Sequence, residues 1–113
     1  AGVPGPSAQF GLDTLFEIAS NTKVLTAITF HQLVHQGILT EDATLRSMLP
    51  KEKFNISFAN PQVGNITMRE ILCHHSGLPR LPSNLHGSPA NQFTNYSQED
   101  LFEFLSTLKD LPT

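Results

Sequence analysis

Apolar residues fall in three dense stretches of this chain, separated by polar segments rich in proline and glycine, and each stretch predicts a helix. Over 20–36, Val24, Leu25, Ala27, Ile28, Phe30, Leu33 and Val34 lie almost all round a helical wheel, and Gly37 stands where a C-terminal cap belongs. A helix apolar on every side is expected to be buried centrally. Over 68–75, Thr67-Met68-Arg69-Glu70 forms a capping box, since the threonine hydroxyl and the glutamate carboxylate each satisfy an orphan N–H at a helix start. That helix turns Met68, Ile71 and Leu72 inward and is expected to stop near Gly77. Over 98–109, Ser97-Gln98-Glu99-Asp100 opens a third helix whose Leu101, Phe102, Phe104, Leu105 and Leu108 make one apolar face, closed by Pro112.

Between these helices the pattern is weaker. Residues 1–12 read as an extended lead-in rich in Gly and Pro, and 43–49 as a short helical turn ended by Pro50. Pro61 and Gly64 are expected to break any regular element over 51–65. The segment 78–96, about 19 residues dense in Pro, Ser, Asn and Gly, is long for a connection in a compact domain and marks a functional loop. No internal repeat and no hairpin signal occurs, so the chain reads as one largely helical region over 13–113 after its lead-in.

Composition narrows the function classes. A chain of 113 residues supports one small core, and 39% hydrophobic with 15% charged residues describes a globular chain. A net charge of -3 without any Lys/Arg cluster lacks the footprint that nucleic acid requires. No apolar run approaches the roughly 18 residues of a membrane span, and the first residues do not read as a signal peptide. Cys73 is the only cysteine, which excludes an internal disulfide and a four-cysteine zinc site; between Leu72 and His74 it is expected to be a small buried hydrophobe. Three Asn-x-Ser/Thr triplets, at Asn55, Asn65 and Asn95, exceed the chance expectation of about one, which reads either as coincidence or as a hint of a secreted eukaryotic protein.

Candidate chemistry lies at the start of the first helix. Ser20-Asn21-Thr22-Lys23 has the S-x-x-K form, and a spacing of three puts both side chains on one helix face. An ordinary N-cap serine favours Glu or Gln at the third helical position, but this chain has Lys23, a cation opposed by the helix dipole. The same field, with burial, favours the neutral amine, which can take the proton of the Ser20 hydroxyl without any histidine. The Ser20 backbone N–H at the helix start is placed to face a developing oxyanion.

The residues around this pair resemble a known family. FEIASNTKVLTA, then QLVHQGILTEDATLRSMLP, then ITMREILCHHSGLP are similar in order and spacing to the serine β-lactamase and penicillin-binding-protein hydrolases, which include class C β-lactamases, D-Ala-D-Ala carboxypeptidases and esterases. The likeness runs from about Asp13 to Pro79 and more faintly to Thr113. It implies an α+β parent fold of β-lactamase/transpeptidase type, of which this chain would be mainly the helical portion, with most of the antiparallel sheet missing. It implies Ser20 as nucleophile and Lys23 as its base, an acyl-enzyme formed with a β-lactam, a D-alanyl peptide or an ester, no cofactor, no metal, and a periplasmic or secreted setting. His75 stands where the family usually has Thr, in a segment that is chiefly structural. The family's Tyr-x-Asn and Lys-Thr-Gly motifs are not found, and the helix over 98–109 normally precedes the former, so the chain reads as a fragment that stops just short of it.

Rival readings attach to other residues. Tyr96-Ser97-Gln98 lacks the asparagine of Tyr-x-Asn, and Tyr96 reads better as the residue before the N-cap, stapled onto Leu101. His31 and His35 are one helical turn apart, but residue 32 is Gln and no third zinc ligand stands out. Arg80, Asn84 and His86 are loop residues that either touch substrate or are simply solvated. The alternative to a hydrolase is a non-catalytic binding or scaffold module on the same fold. In either case, apolar helix faces without their sheet predict self-association.

Overall fold

The computed structural model describes residues 9–52 and 57–111. Among these the regular structure is helical: a single 3₁₀ turn at Ala19–Asn21, then α1 (Thr22–His35), α2 (Leu45–Met48), α3 (Pro61–Gly64), α4 (Met68–Leu72) and α5 (Gln98–Thr107). No strand occurs among the described residues, only isolated antiparallel bridges at Thr44 with Thr67 and at Ser88 with Asn91. Most of the lead-in, residues 1–8, lies outside the described residues, as does Asn55. The chain divides into two compact units, Ala1–Ile38 and Leu39–Thr113.

The first unit is built on α1. Its C-terminus closes as the pattern predicts: Gly37 takes φ 78°, its N–H donates to the Val34 carbonyl at 3.0 Å, and the Ile38 N–H donates to Leu33 at 2.9 Å. These two bonds satisfy carbonyls that the helix end would otherwise leave open, and a side chain at φ > 0 would be strained there. The expected central burial of α1 is corrected. None of its residues is buried, and Val24, Leu25 and Ile28 are 59%, 55% and 51% exposed. A helix apolar all round needs cover on every side, and among the described residues of its unit only a 3₁₀ turn and a segment without regular structure accompany it.

The second unit holds the core. Val63, Ile66, Phe104 and Leu105 form its buried cluster, with Leu45, Phe58, Ile71, Leu78, Leu108 and Leu111 packed against it. α5 supplies Phe102, Phe104 and Leu105 to the interior, while Leu101 at its first turn stays 40% exposed. The segment before α3 is pinned to the end of α5 by Ala59 N–H donating to Ser106 O at 2.8 Å and Asn60 Nδ2 donating to Lys109 O at 3.0 Å.

Two capping boxes organise the middle of this unit. Thr67 Oγ1 accepts from Glu70 N–H at 3.2 Å while Thr67 N–H donates to Glu70 Oε2 at 2.8 Å, as the sequence predicts. Thr44 makes the same exchange with Ser47 at the start of α2. The two caps face each other through their bridge, flanked by Leu45 N–H to Ile66 O and Met68 N–H to Ala43 O, both 2.8 Å. Arg69 adds an ion pair to Glu41 at 2.7 Å. Donors that a helix start leaves unpaired are thus consumed between neighbouring segments.

Three expectations for this unit are corrected. α3 exists: Asn60 is its N-cap, accepting from Gln62 N–H at 3.0 Å, and Pro61 opens it, because a proline lacks only an N–H that the first turn does not use. α4 ends well before Gly77. His74 at φ 59° makes the left-handed turn, with His75 N–H donating to Glu70 O at 2.7 Å and His74 N–H to Ile71 O at 3.2 Å. Histidine is among the non-glycine residues that tolerate this conformation. Cys73, the C-cap of α4, is exposed rather than buried.

Candidate active site

Ser20 sits in the 3₁₀ turn that leads into α1, and Lys23 is the second residue of that helix. The side chains meet: Lys23 Nζ donates to Ser20 Oγ at 3.1 Å, within hydrogen-bond range. The N-cap position falls on Asn21, one residue later than an N-cap at Ser20 requires, and it carries no side-chain cap bond. The Ser20 hydroxyl is therefore paired with an amine at the helix start instead of closing a capping box. No acidic residue occupies the first turn of α1, so Lys23 has no carboxylate there to pair with.

The residue before Ser20 is under strain. Ala19 takes φ 44°, a left-handed conformation that costs an L-residue about 1–2 kcal/mol and that clusters at functional sites. It follows Ile18 at φ -95°, ψ 0°, in the sparsely populated bridge region. These two conformations immediately precede Ser20. Both Ser20 and Lys23 are exposed, so the burial expected at Lys23 is not present. Upstream, Phe10 and Phe16 stack with ring centroids 5.6 Å apart.

His31 and His35 lie on α1 beside Val24, Ala27, Ile28, Gln32 and Gln36, lining an open apolar concavity on the helix surface. No group of three His, Cys, Asp or Glu side chains able to hold a metal occurs among the described residues.

Three polar residues of the loop 78–96, Asn84, His86 and Tyr96, join a network with Asp100 of α5. The Tyr96 hydroxyl donates to Asn84 Oδ1 at 2.7 Å, Asn84 Nδ2 donates to Asp100 O at 2.8 Å, and His86 Nε2 lies 3.0 Å from Asp100 Oδ2. Asp100 also accepts from Ser97 N–H at 2.9 Å, closing the N-terminal box of α5. The Ser97 N–H first, then His86, hold its carboxyl down from 3.8 to about 2. Burial, and then the Asp100 charge, push the Tyr96 hydroxyl above its usual range. Tyr96 is thus occupied with Asn84, a contact that the expected staple onto Leu101 did not anticipate. Asn84 and His86 tie the loop to α5, whereas Arg80 is exposed.

Comparison with known proteins identifies the class. The sequence model of the Beta-lactamase family matches residues 4–112. The chain belongs to this family. It is 37% identical over 75 residues to Beta-lactamase-like protein 4 of Dictyostelium discoideum, a stretch covering 66% of this chain and 13% of that protein. It is 33% identical over 88 residues to Beta-lactamase-like protein 1 of the same organism, covering 66% of this chain and 14% of that protein. Protein flp of Staphylococcus aureus (strain NCTC 8325 / PS 47) is 35% identical over 66 residues, 58% of this chain and 13% of its own length. The chain therefore spans only about a seventh of these curated relatives, and it corresponds to part of their length. No solved structure matches.

Proposed function

We propose that this chain carries the nucleophile of a serine hydrolase that works through an acyl-enzyme, with Ser20 attacking the carbonyl of a β-lactam, a D-alanyl peptide or an ester. The observation that carries the reading is the 3.1 Å contact between Lys23 Nζ and Ser20 Oγ at a helix start that has no side-chain cap. A general base must lie within about 2.6–3.2 Å of the heavy atom whose proton it removes, and the Nζ to Oγ contact qualifies. As an ammonium the lysine donates to Oγ. As a neutral amine it accepts the hydroxyl proton along the same line, the Oγ–C bond forms, and negative charge develops on the former carbonyl oxygen. The Ser20 N–H is one candidate donor to that oxygen. The tetrahedral species collapses as the acyl C–N bond of the lactam or peptide, or the C–O bond of the ester, breaks and the leaving nitrogen or oxygen takes the proton from Lys23; water then attacks the acyl-enzyme carbonyl, releasing the acid and returning the proton to Ser20 Oγ.

Strain at Ala19 supports the same reading, because a nucleophile held on an unfavourable turn is projected toward the reacting carbon. The reaction is proposed for the longer protein of which this chain is a part. No second tyrosine and no Lys-Thr-Gly sequence occurs within these residues. Loss of one oxyanion donor alone costs about 10²–10³ in turnover. The isolated chain is accordingly expected to show no turnover of a chromogenic cephalosporin or a p-nitrophenyl ester.

Lys23→Arg in the full-length protein tests the base. Arginine keeps the positive charge but does not deprotonate, so acylation should fall about 10²–10⁴-fold if Lys23 removes the proton. Acylation at the wild-type rate by Lys23→Arg would reduce the lysine to a charge and remove it from the mechanism. A full-length protein inert to every acyl donor would return the scaffold alternative.

A further inference from the structure

Two of the three Asn-x-Ser/Thr triplets fall in described residues, and they share a local design unrelated to Ser20. Asn65-Ile66-Thr67 joins α3 to α4, and Asn95-Tyr96-Ser97 joins the long loop to α5. Asn65 is the C-cap of α3, and Asn95 turns the chain at φ 60°; both are exposed. In each triplet the third residue is the N-cap of the following helix. Thr67 Oγ1 accepts from Glu70 N–H at 3.2 Å, and Ser97 Oγ accepts from Asp100 N–H at 3.1 Å. The middle residue Ile66 is 4% exposed and belongs to the core. By contrast, Asn60 and Asn84, which do not start such triplets, commit their side-chain amides to Lys109 O and Asp100 O.

We infer that Asn65 and Asn95 are acceptors of N-linked oligosaccharide and that transfer precedes folding. The donor is a polyprenyl-diphosphate-linked oligosaccharide. The asparagine Nδ2 forms a bond to the anomeric carbon, the bond from that carbon to the diphosphate oxygen breaks, and the amide proton leaves with the released diphosphate. A transferase reads the triplet through its hydroxyl and its extended backbone. Once α4 and α5 form, the hydroxyls of Thr67 and Ser97 are held by their capping boxes and Ile66 is in the core, so the triplets are closed to the enzyme. The two asparagines remain at the surface, where a bulky hydrophilic chain meets no packed neighbour. Glycan attachment and helix capping thus use the same hydroxyls at successive times.

The test uses the full-length protein directed through the secretory pathway of a eukaryotic host. Peptides spanning Asn65 and Asn95 are released, treated with peptide N-glycosidase in heavy-oxygen water, and sequenced by mass spectrometry. Labelled aspartate is expected at both positions, and Asn65→Gln and Asn95→Gly are each expected to lower the intact mass by one glycan. Glycine suits the positive φ at position 95, and both variants keep the capping hydroxyls, so neither is expected to unfold. In a second arm, folded unglycosylated protein made in bacteria is mixed with purified transferase and lipid-linked donor, beside synthetic peptides of each triplet. The peptides should be modified and the folded protein should not. Unmodified asparagine at either position in most secreted molecules overturns the assignment, and transfer to the folded protein overturns the order of events.

Discussion

Gly64→Ala isolates a packing effect from a backbone effect in the core-bearing unit. Gly64 ends α3, and its φ is not in the left-handed region, so the backbone alone accepts alanine. Helix propensity would then reward the change by about 0.5–1 kcal/mol. The surroundings oppose it. A Cβ at position 64 would lie 2.6 Å from Arg46 Nη2 and 2.8 and 2.9 Å from Cδ2 and Cε2 of the Phe58 ring, all inside contact distance. The Arg46 guanidinium sits over that ring, 5.0 Å from its centroid, and makes a long contact with Pro61 O at 3.5 Å. Relief requires Arg46 to swing off the ring, forfeiting about 0.5–1 kcal/mol of cation–π attraction, and Phe58 to tilt against the core at an overpacking cost of about 1–3 kcal/mol. The net expectation is a loss of about 1–2 kcal/mol, read as a lower urea midpoint with unchanged slope. In an Arg46→Ala background the penalty should shrink but persist, because the Phe58 contacts remain. A Gly64→Ala protein more stable than the parent would refute the close-packing argument and leave only the propensity term.

Thr67→Ala should cost about 1 kcal/mol in the same assay, since it removes one side of the capping box of α4. Acid should loosen the attachment of the loop 78–96: the Asp100 carboxyl is depressed from 3.8 to about 2, so its contribution is complete above pH 4 and is lost as pH falls through about 2. Hydrogen exchange at Ser97 and Asp100 should speed up across that window, and Asp100→Asn should abolish the acid step. The exposed Val24, Leu25 and Ile28 predict concentration-dependent self-association of the isolated chain; a monomer at every concentration in sedimentation equilibrium would contradict it.

Local chemistry made much of this molecule legible. Thr67 with Glu70, Ser97 with Asp100 and Gly37 after α1 announce helix ends because their bonds are made within a few residues of sequence. Asn60-Pro61 carries a start signal of the same kind, but a proline taken alone signals a break, and only the Asn60 N-cap before it makes it a helix start. The left-handed turn at His74 has no sequence signal of its own, because glycine is the usual left-handed cap and Gly77 lies close by. The bridge between Thr44 and Thr67 joins segments far apart in sequence, which no local pattern encodes. The apolar circumference of α1 was readable, but what covers it was not, since burial depends on partners rather than on the helix itself. At the candidate site, the three-residue spacing of Ser20 and Lys23 places their side chains together, whereas the positive φ of Ala19 has no signature in the sequence, since alanine is not a residue that favours it.

The central claim is that Ser20 becomes acylated. Intact-protein mass spectrometry of the full-length protein after brief exposure to a chromogenic cephalosporin, and separately to a p-nitrophenyl ester, tests it most directly, with Ser20→Ala treated alongside. The account predicts one acyl adduct per molecule with at least one of these donors, mapped to the peptide that holds Ser20 and Lys23 and absent from Ser20→Ala. An adduct that survives Ser20→Ala, one that maps to another peptide, or none with either donor would contradict it.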